Sequence, residues 1–204
     1  MINRWSVARV IMPAIITFGV TQLVATLLHL DILDWSHPTA FAWLIVYIVS
    51  PIGAIWVYVL EERRWRREDE GGRPIPPPAR MVLLGFAVAS AATGLALFIA
   101  STHVGDIWPW SLTPLTGRVI GGWYLSGAAL QWMLSRTRDV QTARVGLLAT
   151  IGVTVLQLLG AVLNNNHFNG PSWAVALYVG YSAVLGLAAA SIWVRPLIRP
   201  EVGV

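Results

Sequence analysis

Cysteine is absent from this 204-residue chain, which excludes thiol redox chemistry, structural disulfides and thiolate metal sites. Charge is scarce: 12% of the residues are charged, against about 25% in an ordinary soluble domain. Lysine is missing altogether, because all fourteen basic residues are arginine. No long apolar stretch carries a charge in its middle third, so the intramembrane acid that cation transporters generally need is lacking. What is plentiful is hydrophobic surface, at 56% of the residues, more than a water-soluble fold of this length could hide.

Six apolar stretches approach the roughly 20 residues needed to cross a bilayer core. They cover residues 7–29, 39–60, 80–101, 116–134, 145–163 and 173–194. The expected fold is an all-α integral membrane protein, a single six-helix bundle occupying residues 1–204. Arg4 and Arg9 precede the first span. Arg63, Arg64, Arg66, Arg67, Arg73 and Arg80 separate the second from the third, Arg136, Arg138 and Arg144 the fourth from the fifth, and Arg195 and Arg199 follow the sixth. By the positive-inside bias both termini and both arginine-rich connections are expected to be cytoplasmic. Only Arg118 falls on the other face. The net charge of +4 then reflects topology and anionic lipid headgroups, and nucleic acid is not an expected partner. The run from Val7 to Leu28 is too long for a signal core and lacks a small-x-small cleavage site, so it reads as a retained helix.

The spans group into three hairpins whose outer turns share a pattern of His, then Asp or Asn, then Trp and Pro. The turns begin at His29, His103 and His167, and a threefold internal repeat is expected from them. Between the second and third spans, Glu61 to Ala79 has mixed charge followed by Arg-Pro-Ile-Pro-Pro-Pro. The charged part extends the second helix, and the polyproline-like part is either a stiff spacer or a docking surface for a protein partner. Pairs of small residues four apart, among them Gly117 and Gly121, Gly122 and Ser126, Ser90 and Gly94, and Gly186 and Ala190, predict close helix packing. Pro13 and Pro51 are expected to kink their spans.

Buried polar residues need partners in lipid. Gln22, Thr26 and His29 form one face of the first helix. Thr150, Thr154 and Gln157 lead toward Asn164 on the fifth, and Tyr178, Tyr181 and Ser182 lie on the sixth. Facing one another, these stripes would make a polar track opening outward; otherwise they serve as interhelical hydrogen bonds alone. Arg118 at the start of the fourth span needs a negative partner, expected in Asp106, Asp31 or Asp34, or in a lipid phosphate or anionic ligand. Arg118, Asp106, Asp31, Gln22, Gln157 and Asn164 are therefore the candidate ligand contacts. His29, His103 and His167 are the candidate metal ligands, able to converge only if the hairpins surround a common axis. No cofactor is implied. Most of the eleven Trp residues fall at the predicted interfaces, Trp108 and Trp110 included, where amphipathic rings prefer to sit.

The Trp108 to Thr116 segment, Trp-Pro-Trp-Ser-Leu-Thr-Pro-Leu-Thr, resembles uncharacterised bacterial six-span membrane proteins and implies the cytoplasmic membrane of a bacterium. Abundant Trp is similar to the tryptophan-rich sensory protein family in composition, and the size and span number are similar to substrate-binding subunits of energy-coupling-factor vitamin transporters. Leu125-Ser126-Gly127 resembles part of the rhomboid protease serine motif, but the preceding glycine and a histidine base on the sixth span are missing. The sequence therefore points to a protein without catalysis, expected to be an accessory or scaffolding subunit of a membrane assembly. The alternative is a protein that binds or transports a small molecule, lipid or ion through the polar track.

Overall fold

The computed structural model describes residues 4–64 and 74–198. Most of the charged part of the Glu61 to Ala79 connection, the Trp65 to Arg73 stretch, lies outside them. Six long helices carry the chain: α1 (Arg4–Leu27), α2 (Pro38–Arg64), α3 (Pro77–Ile99), α4 (Pro114–Arg136), α5 (Val140–Leu163) and α6 (Ser172–Ile198). The only β feature among the described residues is an isolated bridge between Pro74 and Asp139. Proline opens α2, α3 and α4, where its missing N–H would have had no helical partner. Thr113 caps α4 by accepting from the Thr116 N–H at 3.1 Å, and Asp139 caps α5 by accepting from the Thr142 N–H at 2.8 Å. At its far end α2 runs past the apolar stretch to Arg64, as the mixed charge there led one to expect.

Five of these helices, all but α4, are long and apolar enough to cross a membrane. This marks a multi-pass membrane protein by length and composition. The exception has a physical reason: Gly117, Gly121, Gly122, Tyr124, Ser126 and Gln131 stand where the other helices carry aliphatic residues. These are the residues α4 turns toward its neighbours, for it is the centre of the bundle, packed along both α1 and α3. Toward α3, a Cβ at position 121 would lie 2.8 Å from the Gly94 carbonyl oxygen and 2.8 Å from the Phe98 nitrogen, so only glycine permits this approach. Toward α1, Ser126 Oγ donates to the Ala14 carbonyl at 2.9 Å, and Gln22 Nε2 donates to the Val119 carbonyl at 3.1 Å. The third face of α4, with Tyr124 and Gln131, looks toward the α5/α6 hairpin.

At the arginine-rich end the bundle is closed. Val10, Ile75, Leu83, Leu134, Leu147 and Ile192 form a buried apolar cluster drawn from α1, α3, α4, α5, α6 and the segment before α3. The Ile75 N–H donates to the Arg138 carbonyl at 2.7 Å, and Arg80 Nε donates to the Ser135 carbonyl at 2.7 Å, tying the two arginine-rich connections together. Glu62 holds α2 to α1 through Arg9, with Nη2 2.9 Å from Oε1. Otherwise α2 is an outlying helix that packs chiefly on α1 and leaves Phe41, Trp43, Val49, Ile52 and Trp56 exposed. Pro51 lies inside α2 and sits against Gly19, where a Cβ would approach the Pro51 Cβ to 3.1 Å. Between the buried apolar cluster and the opposite end a space remains between the α5/α6 hairpin and α3/α4.

Candidate functional site

Three neighbouring cavities fill that space. The inner one, about 120 Å³, lies among Ser90, Tyr124, Gln131, Thr154, Gln157 and Tyr181, with the exposed Trp123 and Val153 also in its lining. The middle one, about 390 Å³, is bounded by Trp108, Tyr124, Trp173, Leu177, Tyr178 and Tyr181. The outermost, about 550 Å³, is bounded by Trp110, Ser111, Asn164, His167, Phe168 and Tyr178. Tyr124 and Tyr181 wall both the inner and middle cavities, and Tyr178 walls both the middle and outer ones. Sharing these rings as walls, the three cavities adjoin one another and form one cleft region between α3/α4 and the α5/α6 hairpin. The two larger cavities fall within the range typical of small-molecule sites, about 300–1,000 Å³.

The walls are aromatic. Trp108 and Trp110 meet edge to face with ring centroids 5.5 Å apart. Trp108 also packs on Tyr124 at 5.8 Å and Trp110 on Tyr178 at 5.3 Å, while Tyr124 and Tyr181 lie 5.9 Å apart. Such edge-on packing follows the ring quadrupoles. It also corrects the sequence reading of Trp108: this ring is 8% exposed and part of an interior wall, not an interfacial anchor. Proline makes the inward turn possible, since the buried Trp108-Pro109 pair is clasped by the next connection, where the Gly170 N–H donates to the Pro109 carbonyl at 3.0 Å and Asn169 Nδ2 donates to Ser111 Oγ at 2.8 Å.

At the cleft floor the polar groups divide into spent and unspent. Ser90 is 1% and Gln131 3% exposed. Ser90 Oγ donates to Gln131 Oε1 at 2.9 Å, so in its contact with the Tyr181 hydroxyl the serine oxygen accepts and the tyrosine donates. Ser182 Oγ reaches the Gln157 Oε1 at 3.2 Å. The Thr150 and Thr154 hydroxyls bond back to carbonyls of their own helix. By contrast, the Tyr124 hydroxyl and the Gln157 amide nitrogen have no hydrogen-bond partner among the described residues, and both side chains line the inner cavity. Trp108 Nε1 is likewise buried without a partner. No Asp, Glu, Lys or Arg lines any of the three cavities, and His167 in the outermost is their single imidazole.

The expected polar track is thus half present. The α5 and α6 stripes do face one another, with Gln157 in the inner cavity and Asn164 at the outer one. The α1 stripe does not join them. Gln22 is consumed by the α4 backbone, and Thr26 donates to the Gln22 carbonyl at 2.8 Å while accepting from Trp43 Nε1 at 3.3 Å. Arg118 also departs from expectation. Its Nη1 lies 2.6 Å from His29 Nε2, and none of the ion pairs among the described residues joins it to Asp106, Asp31 or Asp34. Arginine can only donate, so Nε2 of His29 is the acceptor and its proton sits on Nδ1. Asp106 and Asp31 are exposed on their loops. Asp34 instead accepts from the Ser36 N–H at 3.0 Å and hydroxyl at 2.6 Å, which holds its carboxyl below the usual carboxylate range.

The histidines are not gathered either. His29 faces Arg118, His103 lies beside Thr102 and His167 edges the outer cavity. Among the described residues no three His, Cys, Asp or Glu side chains are grouped to hold a metal ion. Sequence reasoning gives Ser90 a packing role and Trp108 and Trp110 an interfacial one, and marks neither these nor Tyr124 and Gln131 as site residues. A signal existed in part: Tyr124 and Gln131 are seven residues apart on α4, hence on one face. The chain matches no family model, no curated protein and no solved structure.

Proposed function

We propose that this is a membrane-embedded binding protein for an uncharged small molecule, held in the cleft between α3/α4 and the α5/α6 hairpin. The observation that carries the reading is a set of adjoining aromatic-walled cavities with unspent hydrogen-bond donors and no Asp, Glu, Lys or Arg in their lining. A charged ligand would be desolvated there without a counter-ion, at a cost of several kcal/mol or more. Mass spectrometry of a solvent extract of the protein, purified from its own membrane, tests this. A stoichiometric small molecule is expected, and it should be lost when Ala174, which lines the middle cavity, is replaced by Phe. An unchanged extract from Ala174→Phe would refute binding in the cleft.

In this reading all six helices span the cytoplasmic membrane of a bacterium. Both termini and the arginine-rich connections face the cytoplasm, and α4 crosses sheltered by α1 and α3. The arginine distribution supports this orientation. In intact cells a cysteine at Arg138 should be shielded from an impermeant thiol reagent and one at Ser111 should react; the reverse pattern would invert the topology. Each hairpin closes through a short 3-10 turn, at Leu30–Ile32, Gly105–Ile107 and Asn165–His167, which supports an origin in one repeated hairpin. A second reading, an accessory subunit of a larger assembly, is favoured by the open apolar face of α2, with the Glu61 to Ala79 connection as a further contact. Copurification of a stoichiometric protein together with an empty solvent extract would favour it over small-molecule binding.

A further inference from the structure

We infer that the ligand is a flat, uncharged ring bearing carbonyl oxygens and carrying an apolar tail, that is, an amphiphile with the chemistry of an isoprenoid quinone. The inference rests on the binding reading above and deepens it. Four features of the cleft lead to it. Of the unspent groups near the floor, the Gln157 amide nitrogen can only donate and the Tyr124 hydroxyl can donate as well, so a ligand that brings acceptor oxygens satisfies both. Tyr124 and Tyr181 wall both the inner and the middle cavity, with Trp108 and Tyr178 beside them in the middle one, and such aromatic faces favour a planar head. No Asp, Glu, Lys or Arg lines any of the cavities, so the head is neutral. Finally, the middle cavity is lined by α3, α6 and the connection before α4, and Ile107, Trp173 and Leu177 in its lining form an exposed apolar rim, its lateral opening. With α3 and α6 in the bilayer, as the binding reading has them, that rim would meet lipid and suit a tail that never leaves the hydrocarbon.

The head would enter laterally from the bilayer and place its carbonyls against Tyr124 and Gln157, while the tail remains across Leu177. Ser90, Gln131 and Tyr181 are already bonded to one another and hold the floor in shape. Charge discrimination comes from what the lining lacks. An ammonium group would gain cation–π attraction from the rings but would have no carboxylate to offset its lost hydration, and a phosphate would find no arginine.

The test uses the full chain in phosphatidylcholine nanodiscs and three probes with the same decyl tail: a benzoquinone, a trimethylammonium and a phosphate. Saturable binding of the quinone is expected, with the two charged probes at least tenfold weaker. Tyr124→Phe and Gln157→Leu should each weaken quinone binding about fivefold, the effect of one lost neutral hydrogen bond. The melting temperature of Tyr124→Phe should match that of the unmodified protein, since its hydroxyl has no partner among the described residues, whereas Gln157→Leu also removes the Oε1 that accepts from Ser182 and should melt slightly lower. Leu177→Trp, which narrows the lateral opening, should weaken the decyl quinone but not its tail-free form. Equal or tighter binding of the ammonium or phosphate probe, lost in the same variants, would overturn the ligand class and leave binding in the cleft standing. Quinone binding unaffected in the Tyr124→Phe, Gln157→Leu double variant would also overturn it. Failure of all three probes would overturn the class too, while the cleft reading stands or falls separately on the solvent extract of Ala174→Phe.

Discussion

Replacing Gly121 by Ala should lower thermal stability, whereas the same replacement at Gly152 should raise it. Both glycines lie inside long helices, α4 and α5, so both gain the intrinsic helix preference of Ala, about 1 kcal/mol. They differ in what a Cβ meets. At 152 there is nothing within 4 Å. At 121 the new carbon would fall 2.8 Å from the Gly94 oxygen and the Phe98 nitrogen, about 0.6 Å short of ordinary contact. Both obstacles are backbone, so no side-chain rotation relieves them and α3 must move away from α4. Overpacking of this kind costs about 1–3 kcal/mol, enough to outweigh the propensity gain. For a chain of this length 1 kcal/mol corresponds to about 2–4 °C, so Gly152→Ala should melt about 2–4 °C higher and Gly121→Ala several degrees lower. Thermal unfolding in one detergent, followed by the loss of the monodisperse species on size exclusion, reads both. Gly121→Ala at or above the melting temperature of Gly152→Ala would refute the claim that α3 and α4 touch through backbone here.

His29→Leu and Arg118→Leu should each lower the melting temperature by about 2–4 °C, the equivalent of about 1 kcal/mol, and the double variant should lose no more than the worse single. Full additivity in that cycle would show that the two side chains do not act as a pair. His29→Gln, which can present an oxygen to the guanidinium, should retain most of the stability. At the cleft floor, Gln131→Leu leaves the Ser90 hydroxyl without its acceptor and should cost about 1–3 kcal/mol, while Tyr124→Phe should cost nothing measurable; equal losses would mean that the Tyr124 hydroxyl is bonded after all. At the closed end Glu62→Gln should loosen α2 from α1, seen as faster proteolysis in the connection after α2, and an unchanged rate would show that apolar packing alone retains α2.

The candidate site was only partly legible in the sequence. Thr150, Thr154 and Gln157 could be placed on one side of α5, and Tyr178, Tyr181 and Ser182 on one side of α6, because helical periodicity fixes which residues share a face. That these faces meet each other while the Gln22, Thr26 and His29 face turns to α2 and α4 depends on the order of helices around the bundle, which periodicity does not encode. Arg118 shows the same limit. Its need for a partner followed from charge and its place in the first turn of a helix, yet Asp106, close in the chain, lost to His29, brought near by the packing of α1 on α4. Trp108 was read as an interfacial anchor because rings near span ends usually are; the Pro109 turn and the clasp from Gly170 draw it inward instead.

The sequence by itself determined the solvent in which this protein folds and the elements it folds with. Apolar runs of membrane length, the prolines that open helices and the bias of arginine, Arg118 excepted, toward one end are local properties, written residue by residue. The helices α1 to α6 accordingly stand close to where those runs predict them. Only the tertiary structure decided that α4, the least apolar of them, is the centre, since its glycines acquire meaning from the backbones that come to rest against them. It alone decided, too, that the α5/α6 hairpin closes on the rest through the cluster around Leu134 and Leu147 and again at the Trp108-Pro109-Trp110 loop through Asn169 and Gly170, leaving a cleft between, because the width of a cleft is set by side chains from helices far apart in the chain.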